Sequence, residues 1–150
     1  MTLRLDYNAA TPAGVKTLER VYGHITQSGL PKALVDLVFL RVSQINGCAY
    51  CIDMHSRELL KEGMKVEKLV LVPVWRELGA LFDETERAAL AWAETVTRVA
   101  DTHVPDADFE AASARFDDKQ LADLTIAIGL INAYNRLGIS FRADPAAAKP

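Results

Sequence analysis

Two cysteines and a histidine fall in one short segment, Cys48-Ala49-Tyr50-Cys51-Ile52-Asp53-Met54-His55, and the chain has no other cysteine. On a helix that begins just after Gly47, Cys48 and Cys51 lie one turn apart on the same face. His55, four residues beyond Cys51, continues that ridge. A helix N-terminus offers partial positive charge and unpaired N–H groups, both of which favour a thiolate. An imidazole one turn further on can take the thiol proton as general base, directly or through a water. Two thiols within one turn can close a disulfide, so the pair can cycle between dithiol and disulfide. The place of Cys51 in the first turn predicts that it is the more nucleophilic thiol, with a pKa below that of a free cysteine. A bond between residues three apart closes almost no loop, so stabilisation is a weak reason for the pair.

Two other accounts of the segment stand beside the redox one. Free cysteine is among the most buried residue types, so Cys48 and Cys51 can serve as small core hydrophobes. Cys48, Cys51 and His55 are also three-quarters of a zinc site, with Asp36 or Asp53 as a fourth ligand. Structural zinc sites usually draw on two separated ligand pairs, and this chain has no second Cys/His pair.

The elements that must hold this segment read as helical nearly throughout. Thr11 before Pro12 is an N-cap signal, and Val15, Leu18, Tyr22 and Ile25 keep helical spacing until Gly29. Pro31 opens a second helix with Leu34, Leu37, Val38, Val42 and Ile45 on one stripe, interrupted at Gly47. A third runs from Ala49 to Glu62, with Gly63 just past its end. Val66 to Leu78 looks helical but must kink or restart at Pro73. Asp83 with Glu86 makes a capping box for a helix to about Val99, with Leu90, Ala93, Val96 and Thr97 facing inward. A short helix follows Pro105. Asp117 with Gln120 caps the last one, whose stripe is Leu121, Leu124, Ile128, Ile131 and Leu137. No stretch alternates strictly and no hairpin turn pair lies between apolar runs, so the fold class is all-α.

The 150 residues, half of them hydrophobic, fit a single domain over 1–150 with enough length to bury a core unaided. The Ala-, Pro- and Lys-rich stretch 143–150 is expected to fray. A formal charge of −3 with scattered basic residues argues against nucleic acid or anionic membrane as partner. The uncharged run Leu69 to Trp75 is too short to span a bilayer. Residues 1–10 carry Arg4 and Asp6 without an apolar stretch, so no secretory signal is visible and the expected location is cytoplasmic. Phosphate loops, dinucleotide fingerprints and fixed-period repeats are absent.

The segment Leu40 to His55, with Ser43-Gln44-Ile45-Asn46-Gly47 ahead of the Cys-x-x-Cys-x-x-x-His core, resembles the core motif of the AhpD-like alkylhydroperoxidases. These belong to the carboxymuconolactone decarboxylase superfamily. The likeness continues through Trp75-Arg76-Glu77, Glu86 to Leu90, and Ile131 to Leu137, and so covers most of the chain after about residue 30. It implies an all-helical fold, assembly into trimers or hexamers, and thiol-dependent reduction of hydroperoxides without a cofactor or a metal. In that scheme Cys51 attacks the peroxide, Cys48 resolves the product to a disulfide, and His55 aids deprotonation. A dithiol of lipoyl type is the implied electron donor. Family peroxidases usually carry a Glu twelve residues before the first cysteine, where this chain has Asp36, one methylene shorter with the charge kept. Some carry a His just before the second cysteine, where this chain has Tyr50. The decarboxylase branch matches less well, because its members need no Cys-x-x-Cys pair.

The other polar residues read as structural. His24 lies beside the first helix's apolar stripe, and His103 sits in a solvated loop. Trp75 and Trp92 read as core or subunit contacts. Asn132, Asn135 and Arg136, polar positions in an apolar helix, read as capping or inter-helix hydrogen bonds. The runs Val38-Phe39-Leu40 and Ile126 to Ile131 (apart from Gly129) are apolar on more than one side. They predict a second partner surface, hence a closed homo-oligomer.

Overall fold

The computed structural model describes residues 2–148, and these form α-helices and short 3-10 turns with no strand among them. The helices are α1 (Tyr7–Ala10), α2 (Pro12–Thr26), α3 (Lys32–Asn46), α4 (Ala49–Lys61), α5 (Val66–Val70), α6 (Glu84–Thr97), α7 (Val99–Thr102), α8 (Asp106–Ser113) and α9 (Asp118–Phe141). The all-α expectation holds.

Helix α3 is the centre of the molecule, packed against α4, α6 and α9. Its residues Leu34 to Leu40, with Val42 and Ser43, are all buried. Helical periodicity splits them between two cores. Val35, Val38, Phe39 and Val42 join the larger core with Leu124, Ile128 and Ile131 of α9. Leu37 and Leu40 point the other way, to Leu59, Val72, Trp75, Phe82 and Leu90. The continuous apolar run of α3 is therefore covered within the single chain. In α9, Ala127, Ile128, Leu130 and Ile131 are buried likewise, and Ile126 is exposed. The chain itself therefore covers most of both apolar runs, with Ile126 left exposed.

One charge on α3 is balanced inside. Arg41 Nε donates to Glu94 Oε1 of α6 at 2.7 Å, and Trp75 Nε1 donates to the same oxygen at 3.0 Å. Arg76 pairs with the other oxygen and its guanidinium lies 4.2 Å from the Trp75 ring centre. Trp92 Nε1 donates to Thr125 Oγ1 at 2.9 Å, so both tryptophans are core residues of this chain.

Both capping boxes form, Asp83 with Glu86 and Asp117 with Gln120. Elsewhere the sequence signals are modified. Pro12 opens α2, but Thr11 makes no side-chain cap there. Residues 66–78 do not form one kinked helix: α5 stops at Val70, and a 3-10 turn over Val72–Glu77 follows, with Val74 non-helical at φ −118°, ψ 23°. Pro73 lacks the N–H that would continue α5. The tail is also more ordered than its composition suggests. Ala146–Ala148 forms a 3-10 turn whose Ala147 N–H donates to Asp53 Oδ2 of α4 at 3.2 Å. Lys149 and Pro150 lie outside the described residues. At the other end, Asp6 caps α1, and Arg4 N–H donates to Phe141 O at 3.0 Å, tying the N-terminal segment to the end of α9.

No helix among the described residues is long and apolar enough to cross a membrane.

Candidate thiol site

Gly47, in the left-handed region at φ 74°, ends α3 and turns the chain directly into α4. The first residue after it, Cys48, is extended at φ −85°, ψ 96° and is the N-cap of α4. Its sulfur takes the place usually held by a Ser or Asp oxygen, accepting from Cys51 N–H at 3.4 Å. Cys51 sits in the first turn of α4 and His55 in the second, as the spacing predicts. Both cysteines are free thiols and nearly fully buried, at 1% and 2% exposure.

The two sulfurs face different surroundings. Cys51 lines a cavity of about 410 Å³ together with His55 and Asp36. Cys48 does not line it. Its sulfur lies against α9, where a Cβ added to Gly138 would come within 3.1 Å. Above that glycine by one turn, Asn135 is fully buried and donates to Ser43 Oγ at 3.0 Å, while its oxygen accepts from Asn46 Nδ2 at 2.9 Å. Asn132 joins this network by accepting from the same Asn46 amide at 3.0 Å.

The two thiols share one proton, and this setting favours the negative charge on Cys48. Hydrogen bonding from the Cys51 thiol outweighs burial and, with the Cys51 and Tyr50 backbone N–H groups and Asn135, lowers the Cys48 pKa to about 7. Serving as that donor pushes the Cys51 thiol well above the ordinary cysteine range, with burial and the neighbouring Cys48 charge adding to the effect. The expectation that Cys51 carries the lowered pKa is therefore reversed. The N-cap position aims its sulfur at the helix-end N–H groups, whereas a residue already inside the first turn does not.

His55 is 5% exposed and clamped on two sides. Its Nδ1 lies 3.2 Å from Asp36 Oδ1 on α3, and its ring meets Phe39 edge-on at 5.1 Å. Its Nε2 has no hydrogen-bond partner among the described residues. A carboxylate on Nδ1 favours the tautomer with the proton there, which leaves a lone pair on the buried Nε2. Burial pushes the Asp36 carboxyl up, but hydrogen bonds from His55 and Lys32 outweigh it and hold the group below the usual carboxylate range. Lys32 Nζ lies 2.6 Å from Asp36 Oδ2 and also pairs with Glu62.

All four expected residues, Asp36, Cys48, Cys51 and His55, thus come together, three at the cavity and Cys48 beneath it. Asp53, offered as a zinc ligand, is turned outward to Arg57 and the tail. No three His, Cys, Asp or Glu side chains among the described residues are grouped to hold a metal ion. His24 bonds Asp123 at 2.8 Å and His103 is exposed, both away from the thiols. The sequence reading leaves out Lys32 and Gly138, names Ser43 only as part of the motif, and assigns Asn135 only a hydrogen-bonding role. A glycine three residues after a buried asparagine inside an apolar helix is the signal that could have pointed to the sulfurs.

Comparison with known proteins agrees with the geometry. The family model described as carboxymuconolactone decarboxylase family matches residues 12–95. The Bacillus subtilis protein YdfG, described as uncharacterized, is 32% identical over 140 residues, covering 93% of this chain and 95% of its own. Over 40 residues, 27% of this chain and 23% of the relative, the alkyl hydroperoxide reductase AhpD of Maricaulis maris is 48% identical. A crystal structure from Agrobacterium tumefaciens, described as a protein of unknown function and a candidate antioxidant defence protein AhpD, superposes with a TM-score of 0.92. It is 38% identical and covers 96% of this chain and 98% of that one. The debrominase Bmp8 shares the fold at a TM-score of 0.78 and 17% identity, over 93% of this chain and 75% of that one. The chain belongs to the carboxymuconolactone decarboxylase family, with the AhpD-like fold and its Cys-x-x-Cys pair.

Proposed function

We propose that the chain reduces hydroperoxides with the Cys51–Cys48 pair, Cys51 being the sulfur that meets the peroxide. One observation carries this: Cys51 and the partnerless Nε2 of His55 belong to residues of one cavity, while Cys48 lies within hydrogen-bond reach behind Cys51. Near neutral pH the pair holds one proton and one negative charge. Passing that proton from Cys51 to Cys48 leaves a thiolate facing the cavity without two adjacent anions. The thiolate attacks the outer peroxide oxygen, the O–O bond breaks, and Cys51 becomes a sulfenic acid. The departing alkoxide takes a proton that solvent supplies and His55, oriented by Asp36, picks up and hands on, and it leaves as the alcohol. Cys48 then attacks the Cys51 sulfur, the hydroxyl leaves with the Cys48 proton as water, and a disulfide remains. An external dithiol, of the lipoyl type that the family resemblance implies, returns the pair to the reduced state.

The names of the AhpD relatives support this reading, and so does the short Cys48–Cys51 separation along one helical turn. Mixing reduced protein with a hydroperoxide panel in stopped flow tests it. Two thiols should be lost for each hydroperoxide consumed. Cys48→Ser should halt at a trappable sulfenic acid and Cys51→Ser should not react. Thiols that survive every hydroperoxide would make the pair a core feature of a non-catalytic assembly. The trimer or hexamer that the family resemblance implies is part of the same proposal. Light scattering decides it, since a mass near 16.5 kDa at low micromolar concentration would remove it.

A further inference from the structure

The chain has four tyrosines, and all four line the cavity beside Cys51. They arrive from four helices: Tyr7 from α1, Tyr22 from α2, Tyr50 from α4 and Tyr134 from α9. None of the four phenol oxygens has a hydrogen-bond partner among the described residues. Tyr7, Tyr50 and Tyr134 are half-buried and Tyr22 is 36% exposed, so their hydroxyls are open to water or to a molecule entering the recess. A space of about 410 Å³ lies within the usual range of small-ligand pockets and takes one ring with a branched substituent. The rings offer aromatic faces and edges, and their hydroxyls offer donors at the rim.

The charged groups around this space have one dominant sign. Asp36, Glu19 and Glu58 line it, and no lysine or arginine is among the described lining residues. Lys32 stands behind Asp36, pairs with Glu62 and lies 3.8 Å from Glu58, which Lys61 also approaches at 2.6 Å. A ligand carboxylate in the cavity would meet carboxylates in front and find its nearest cations already engaged. Burying an unpaired anion next to like charges is unfavourable twice over.

We infer that the cavity is a binding site for neutral single-ring aromatic molecules and rejects carboxylate-bearing ones, with Glu19 and Glu58 as the residues that set this choice. Joined to the peroxidase proposal, on which this part rests, the substrate class is neutral aromatic hydroperoxides. The tyrosines supply the attractive part of the selection and the carboxylates the repulsive part.

Binding to the reduced protein, measured by calorimetry, tests this without any turnover. The probes are 2-phenyl-2-propanol, a neutral aromatic alcohol, and its 4-carboxylate derivative. The neutral probe should bind at least about tenfold more tightly. Glu19→Gln with Glu58→Gln should narrow that ratio at least about threefold by strengthening the carboxylate probe. Tyr22→Leu with Tyr134→Leu should weaken the neutral probe. Equal or tighter binding of the carboxylate, or a ratio indifferent to the glutamine pair, overturns the inference. Preference for the neutral probe in a protein whose thiols resist all hydroperoxides upholds the site and defeats only the peroxidase proposal. Rapid thiol oxidation without discrimination does the reverse.

Discussion

Gly138 of α9 stands against Cys48: a Cβ at position 138 would lie 3.1 Å from the Cys48 sulfur and 3.8 Å from that of Cys51. The helix gives up side-chain contact there so that the sulfur can sit at the N-cap of α4. Gly129, in the same helix, has nothing within 4 Å of such a Cβ, which makes it an internal control. Gly→Ala inside a helix gains about 1 kcal/mol from propensity, whereas overpacking costs about 1–3 kcal/mol. Gly129→Ala should therefore raise the melting temperature, and Gly138→Ala should lower it or leave it unchanged. Chemical denaturation of both variants in the reduced state checks the contrast, and equal gains would show that Cys48 has room to move.

The pair should titrate as a unit, releasing one proton near pH 7 and holding the other through the ordinary thiol range. Thiolate ultraviolet absorbance should rise by one thiolate equivalent across that pH, and Cys48→Ser should abolish the step. The stability consequence has a definite sign. Cys48 has a pKa of about 7 when folded against an ordinary 9.0. Its contribution is full above pH 9 and is lost as pH falls through 7. Cys51, raised on folding, contributes in the opposite sense, and its part is lost as pH rises above 9. Stability of the native sequence relative to Cys48→Ser should thus climb from pH 7 to 9 and turn over beyond it. A flat difference would remove the charged Cys48 from the resting state.

Much of this was legible in the sequence because it depends on spacing within one helix. Cys48, Cys51 and His55 share a ridge whatever surrounds them, and Gly47 and the two capping boxes announce their helix ends locally. The site's remaining parts were hidden because they arise between helices. Nothing local sets Tyr7, Tyr22 and Tyr134 around Tyr50, or Asn135 beside the thiols. The acidity of the cysteines was hidden for another reason: with α4 beginning at Ala49, Cys48 is its N-cap, and a cysteine sulfur in a place usually held by a Ser or Asp oxygen is not a signal that spacing carries. The apolar runs do not decide assembly for a related reason, since a central helix surrounded by its own chain is as apolar as one at a subunit interface.

Glu94 should be among the most sensitive positions for folding. It is 7% exposed and accepts from Arg41, Trp75 and Arg76, tying α6 to α3 and to the 72–77 turn. Burial pushes its carboxyl up, yet the Trp75 hydrogen bond and the two arginines hold it below the ordinary value. Removing one partner of a buried pair leaves the other charge uncompensated, at about 3–5 kcal/mol. Glu94→Gln should cost on that order in urea unfolding. Recovery of most of the loss in Glu94→Gln with Arg41→Met would identify the stranded guanidinium as its cause, and no recovery would place it elsewhere.

The Asp36–His55 contact decides whether a shorter carboxylate suffices. Asp36 already reaches His55 Nδ1 at 3.2 Å, and Lys32 holds its other oxygen at 2.6 Å. A glutamate there would have to fold back to keep both partners, because α3 and α4 pack tightly at this depth and Asp36 is 3% exposed. Asp36→Glu is therefore expected to leave peroxide-dependent thiol loss unchanged or slower, despite restoring the residue usual in the family's peroxidases. Asp36→Asn removes the charge that orients the ring and that would stabilise an imidazolium during proton relay, and should slow oxidation by about tenfold or more. It also leaves Lys32 without its buried partner, so a melting curve must accompany the rates. A structural effect alone would lower the melting temperature and scale the rate equally at every pH. Loss of the relay would instead change the shape of the pH–rate profile, and it would make His55→Ala add little to Asp36→Asn. Additive losses would show that the two residues do not act together.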